Sequence, residues 1–203
     1  MKLACMAIGL LTAVPALASP GAVDRYDCHR DAETRQYHCH GVLGAAKQSH
    51  LLIGGQLANS TWLWGDGPAN SFAGPAVTVE WALNSIAARG SYGYNRHLTG
   101  DTEFGVSGWD LAIKLGHGLA RVGNHLFVQG GYTTQRLNYP DKSFLPFGGI
   151  QMGVGWVSVS EKFAFDVTLL YQDPAPLEQL WAELKFSGEV LAFKATLGLY
   201  LRF

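Results

Sequence analysis

Residues 191–203 read Leu-Ala-Phe-Lys-Ala-Thr-Leu-Gly-Leu-Tyr-Leu-Arg-Phe, and this alternation constrains the fold more than any other feature of the chain. The odd positions, Leu191, Phe193, Ala195, Leu197, Leu199, Leu201 and Phe203, are all apolar. The even positions, from Ala192 through Lys194, Thr196, Gly198 and Tyr200 to Arg202, are mostly polar or small. Successive side chains of a β-strand face opposite ways, so this segment has one apolar face and one polar face. A strand of a soluble sandwich rarely runs so long, whereas a tilted strand of about 9–11 residues crosses a bilayer.

The pattern recurs from about residue 50 onward. Val77, Val79, Trp81 and Leu83 alternate with Thr78, Glu80 and Ala82. Further segments begin near Ile86, Trp109, Leu126, Ile150, Phe163 and Leu180, and residues 51–63 read as another although Leu51-Leu52-Ile53 blurs the period. Soluble barrels also alternate, but they turn the polar face to water and furnish it with Lys and Glu. Here that face is small and sparsely charged, and charged residues make up only 15% of the chain. Trp62, Tyr94, Trp109, Tyr132 and Tyr171 fall toward strand ends on the apolar face, which suits aromatic girdles at two membrane interfaces. The expected fold is therefore an all-β, eight-stranded antiparallel transmembrane barrel, with ten strands as the alternative. Nine alternating segments are visible, and an even number is required if both ends of the barrel lie on one side of the membrane.

The terminal run resembles the C-terminal signature of bacterial outer-membrane β-barrels, in which the final Phe is read by the assembly machinery. That resemblance makes Phe203 the assembly signal and implies two partners, outer-membrane lipid and the barrel-assembly machinery. About 154 residues for eight strands is similar to small OmpA/OmpX-type barrels, whose interior is filled by side chains. The expected interior charges are Glu80, Asp110, Asp166 and Glu183 against Arg89, Lys114, Lys185 and Lys194. Unpaired buried charge is costly, so a balanced set implies internal ion pairs. Gly54-Gly55, Gly130-Gly131 and Gly148-Gly149 read as strand positions that ease curvature and close packing.

Residues 1–18 have the form of a secretory signal peptide. Lys2 precedes an apolar core, and Ala16-Leu17-Ala18 is an A-x-A cleavage site. The expected divisions are thus 1–18 signal, 19–49 periplasmic extension and 50–203 barrel. Cleavage would remove Cys5 and leave Cys28 and Cys39 in an oxidising compartment. A net charge of −1 gives a nucleic-acid role no electrostatic support.

The extension carries Cys28-His29, Asp31 and Tyr37-His38-Cys39-His40. This cluster resembles a YHCH-type motif of secreted bacterial proteins, roughly G-C-H-x-D-x-x-x-G-x-Y-H-C-H. Asp27 and Arg35 stand where the motif has glycines, which puts its tight turn in question. Three arrangements fit the residues: a Cys28–Cys39 disulfide alone, that disulfide with metal binding by histidines only, or a zinc or copper site built from Cys28, His29, His38, Cys39 and His40.

No Ser–His spacing suggests the lipid A-modifying barrels, and His50, His97, His117 and His125 read as residues of strand ends and turns. No catalytic residue is expected. The leading expectation is a structural or interaction role in the outer membrane, with an unidentified periplasmic partner. The alternatives are metal handling by a barrel-anchored extension and, third, lipid modification.

Overall fold

The computed structural model describes residues 28–30, 35–39, 49–65, 69–99, 104–138, 144–183 and 188–203, with the backbone alone for Cys28, residues 37–39 and Glu183. The expected signal peptide lies outside the described residues. Two units separate, Met1–Gly44 and Ala45–Phe203. In the first, β1 (Cys28–Arg30) pairs antiparallel with β2 (Tyr37–Cys39).

The second unit is a closed barrel of eight antiparallel strands. These are β3 (Ser49–Trp64), β4 (Asn70–Leu83), β5 (Ile86–His97), β6 (Gly105–Gly116), β7 (Gly123–Asn138), β8 (Phe147–Val159), β9 (Phe163–Gln172) and β10 (Val190–Arg202). Each strand pairs with its sequence neighbours, and β10 closes the ring on β3 from Val190↔Trp64 to Arg202↔Leu52. Leu51 and Phe203 exchange backbone hydrogen bonds at 3.1 and 2.9 Å, so the chain leaves the barrel where it entered.

The odd segment is resolved by α1 (Ala175–Glu183), which lies between β9 and β10. Residues 180–183 are therefore helical rather than part of a ninth strand, and Glu183 is at a helix end rather than on an inward strand face. Lys185 lies outside the described residues. The local chemistry explains the helix. Asp173 Oδ1 accepts the Ala175 N–H at 3.2 Å, an N-cap, and Pro174 fills the first helical turn where no N–H is needed. Leu177, Leu180 and Trp181 then fall on one side at spacings of three and four.

The barrel is apolar outside and polar within, the inverse of a soluble fold. Leu57, Val77, Leu111, Leu126 and Leu199 are all more than half exposed. Tyr92, Tyr94, Trp109, Tyr132 and Tyr171 form an outward aromatic row toward the α1 end, with Trp109 and Tyr132 centroids 6.2 Å apart. Trp81, Phe163 and Phe165 lie outward toward the Phe203 end. Tyr171 and Phe163 are eight positions apart on β9, about 26 Å along the strand, which suits a tilted bilayer-spanning element. Trp62 departs from the expected girdle. It is buried inside the barrel, 4.5 Å from Phe72 between ring centroids.

The two ends differ. At the Phe203 end the strands are joined by short turns at 84–85, 117–122 and 160–162. At the other end the connections are 65–69, 98–104, 139–146 and the α1-bearing 173–189.

Candidate functional site

Period two places the barrel's inward side chains, and their chemistry divides the lumen into layers. At the α1 end Trp62, Phe72, Val106, Leu137, Leu177, Leu180 and Val190 form one apolar cluster, with Phe104, Phe144, Phe147 and Trp181 packed against it. Trp64 meets Trp181 edge-on at 4.8 Å, and Val190 N–H donates to Glu178 at 3.1 Å, so α1 is held over the barrel mouth. At the Phe203 end Leu52, Leu119, Phe127, Val157 and Val159 form a second apolar cluster, with Leu119 supplied by the 117–122 turn.

Between these layers lies an ion-pair network. Asp166 Oδ2 accepts hydrogen bonds from Arg89 Nη1 and Lys114 Nζ, both at 2.8 Å. Lys114 Nζ is also 2.7 Å from Glu80 Oε2, and Arg89 Nε is 3.7 Å from the same oxygen. Tyr200 donates its hydroxyl to Asp166 Oδ1 at 3.0 Å and also meets Arg89, which donates to Gln56 Oε1 at 3.2 Å. Two acids and two bases come from β4, β5, β6 and β9, so the cluster ties non-adjacent parts of the ring together. Lys114 Nζ lies 4.3 Å from the Phe127 ring centroid, joining the ionic layer to the apolar one below it.

A second pair lies toward the α1 end. Lys194 Nζ donates to Asp110 Oδ2 at 2.5 Å, and Ser91 and Gln151 donate to the same carboxylate at 3.2 and 3.3 Å. Six of the eight expected interior charges, Glu80, Arg89, Asp110, Lys114, Asp166 and Lys194, thus meet inside the barrel in two neutral sets. Of the other two, Glu183 lies at the end of α1 and Lys185 lies outside the described residues.

The roles of Tyr200, Gln56 and Gln151 escaped the sequence reading, although the same alternation puts them on the inward face. The glycine at 198 makes room for Tyr200: a Cβ there would overlap the Tyr200 hydroxyl and lie 2.7 Å from Asp166 Oδ1.

Among the described residues, the lumen's carboxylates are taken up by paired bases. His50 Nδ1 and His125 Nε2 face backbone oxygens of the 117–122 turn, Ala120 at 3.3 Å and Arg121 at 3.0 Å. His97 stacks on Phe104 at 4.5 Å and meets Asn70 Oδ1 at 3.1 Å.

In the N-terminal hairpin, Cys28 is the direct partner of Cys39, and His29 of His38. Arg35 adopts φ 58° in the connection, the left-handed conformation that the glycine of the YHCH-type motif would take without strain. His40 lies outside the described residues. Among the described residues, no three His, Cys, Asp or Glu side chains gather as a metal centre.

No family model matches the chain, and no curated protein matches it. Solved structures do. Neisserial surface protein A aligns with 75% of this chain and 97% of its own, at 10% identity and a TM-score of 0.56. Ail, the attachment invasion locus protein of Yersinia pestis, aligns with 77% of this chain and 99% of its own, at 13% identity and a TM-score of 0.52. At such identities the likeness is one of fold: the chain shares the small eight-stranded barrel architecture of these proteins.

Proposed function

We propose that this chain is an integral outer-membrane barrel with a structural or interaction role in the bacterial envelope. The observation that carries the reading is the inverted barrel. Its outside is a continuous apolar band, and its inside is a neutral ionic core closed by apolar layers at both ends. Water does not favour such an exterior, since patches of a few hundred Å² are already unusual on soluble monomers. Lipid does, and a closed ring leaves no unpaired strand edge for the hydrocarbon to meet.

The unequal ends orient it. Outer-membrane barrels carry short turns on the periplasmic side and longer loops outside. The Phe203 end with its short turns is then periplasmic, and α1 with the longer connections faces out. Because β3 begins beside Phe203, the extension before it belongs to the periplasm. The filled lumen argues against a pore, and the pairing of its carboxylates with bases argues against their use in lipid modification. A comparison structure's name, attachment invasion locus protein, associates this fold with contact at the cell surface. For this chain α1 and the other outer connections, 65–69, 98–104 and 139–146, would supply such contact, which suits a small or shared interface better than a grip on a large partner.

The test is cell fractionation with heat-modifiable gel mobility. A protein in the outer-membrane fraction that migrates faster unboiled than boiled is expected. A soluble periplasmic protein with no heat shift would overturn the reading.

A further inference from the structure

A charge on the outward face of the barrel stands against the apolar pattern of that face. Among the described residues of the eight barrel strands, Arg96 on β5 and Arg136 on β7 are the only Asp, Glu, Lys or Arg side chains that face outward. Both are exposed and both lie at the α1 end. Neither guanidinium meets an acid among the described residues. A lipid-facing arginine is costly at the bilayer midplane and tolerated close to an interface.

The neighbouring tyrosines give the depth. Tyr94 pairs with Ser107, yet a Cβ on Gly105, two residues nearer the α1 end, would lie 2.6 Å from the Tyr94 hydroxyl. Tyr132 pairs with Ile150, and a Cβ on Gly148, again two residues nearer that end, would lie 2.9 Å from the Tyr132 hydroxyl. Both phenols thus lean toward the α1 end, with the ring on the apolar side and the hydroxyl on the polar side. That is the posture of an aromatic residue at a membrane interface. Arg96 follows Tyr94 by two residues on the same face, and Arg136 follows Tyr132 by four. The arginines therefore stand beyond the aromatic row, at headgroup depth.

The register brings them together. Arg96 is opposite Gly105 and Arg136 is opposite Ser107, both on β6. Two strands across and two residues along, their Cα atoms are about 12 Å apart. Two long side chains can converge across that gap on one anionic group. Ser107 lies between them; its Oγ accepts from Asn138 Nδ2 at 2.8 Å and keeps its own proton to give. The Tyr94 hydroxyl, over Gly105, is a further donor. We propose that Arg96 and Arg136, with Ser107 and Tyr94, bind the phosphate monoester headgroup of a lipid in the outer leaflet. Guanidinium groups suit phosphate because their paired N–H donors match its oxygens. The acyl chains of the same lipid lie along the apolar band below, over Tyr92, Trp109 and Leu111. A phosphorylated lipid fits both halves of this surface, whereas a soluble anion fits only one. The choice of leaflet rests on the orientation proposed above; the phosphate site does not.

The test uses the full-length protein folded in detergent micelles and read by native mass spectrometry. Bisphosphorylated lipid A, the same lipid stripped of its phosphates, and phosphatidylcholine compete at equal amounts. The phosphorylated lipid should be retained at least tenfold more than either competitor. Arg96→Gln and Arg136→Gln should each cut its retention several-fold, and the double variant should abolish the preference. Lys162→Gln removes a cation from the exposed turn at the Phe203 end and should leave the preference unchanged. Millimolar inorganic phosphate should not displace the lipid. Equal retention of the stripped lipid, a full preference in the double variant, or the same loss in Lys162→Gln would each overturn the proposal. Displacement by inorganic phosphate would overturn it too, by revealing a site for a soluble anion. Heat-modifiable mobility checks that every variant is folded. A chain that fractionates away from the outer membrane would sink the envelope reading, while the lipid preference would still be measured in micelles.

Discussion

Asp166 is the residue on which the lumen depends most. It is fully buried and accepts from Arg89, Lys114 and Tyr200 together. Asp166→Ala leaves one carboxylate, Glu80, against two cations, and breaking a buried pair from one side costs about 3–5 kcal/mol. Removing Arg89 as well restores a one-to-one set of Glu80 with Lys114 at 2.7 Å. The double variant Asp166→Ala/Arg89→Met is thus expected to lose clearly less stability than the sum of its single changes, as read from urea unfolding in detergent. Strict additivity would show that the four groups do not act as one network. Gly198 tests the same cluster sterically. Gly198→Val drives a side chain into the Tyr200 hydroxyl and is expected to cost about 1–3 kcal/mol, with the Tyr200–Asp166 bond lost. Arg35 makes the opposite prediction in the hairpin. Arg35→Gly relieves a left-handed residue, so about 1–2 kcal/mol of strain is removed, and the backbone amides of residues 37–39 should exchange more slowly with solvent.

At the scale of elements, α1 and β10 show what alternation reveals and what it hides. In β10 every inward position is buried from Val190 to Tyr200, so a charge on the outward face would meet lipid. Leu199→Arg is expected to cost about 2–4 kcal/mol if it lies near the bilayer midplane, while Thr196→Ser on the inward face should change little. Equal effects at the two positions in an unfolding assay in lipid vesicles would contradict the assignment of faces. The period was legible in β10 because the inward side of its centre is polar or small. It was blurred in β3 at Leu51-Leu52-Ile53 and at Trp62-Leu63-Trp64, and the structure shows why. Leu52 and Trp62 are inward members of the apolar layers that close the two ends, so both faces of the strand are apolar there. The same ambiguity made a strand of 180–186. Over seven residues Leu180, Ala182, Leu184 and Phe186 satisfy a period of two, while Leu177, Leu180 and Trp181 satisfy a helical one. The signal that decides is upstream: Asp173-Pro174, an N-cap followed by a residue preset for the first turn.

For the whole molecule, a filled lumen and a conducting lumen are physically opposed. An eight-stranded ring leaves an interior that side chains can just fill, and here three layers fill it. The ionic layer alone would be a weak seal, because charged side chains can rearrange around water. The apolar layers are a different barrier: an ion crossing them would lose its hydration with no polar partner in exchange. Breaking the ionic network should therefore destabilise the barrel without opening it. In planar bilayers the unmutated protein is expected to show no discrete conductance, and Asp166→Ala is expected to remain silent despite its lower stability. Opening should require thinning both apolar end layers, for which Trp62→Ala with Leu177→Ala at the α1 end and Leu52→Ala with Phe127→Ala at the Phe203 end are the direct choice. Steady channels from the unmutated protein would show that the closed ends yield to ions, and the envelope role would then have to include transport.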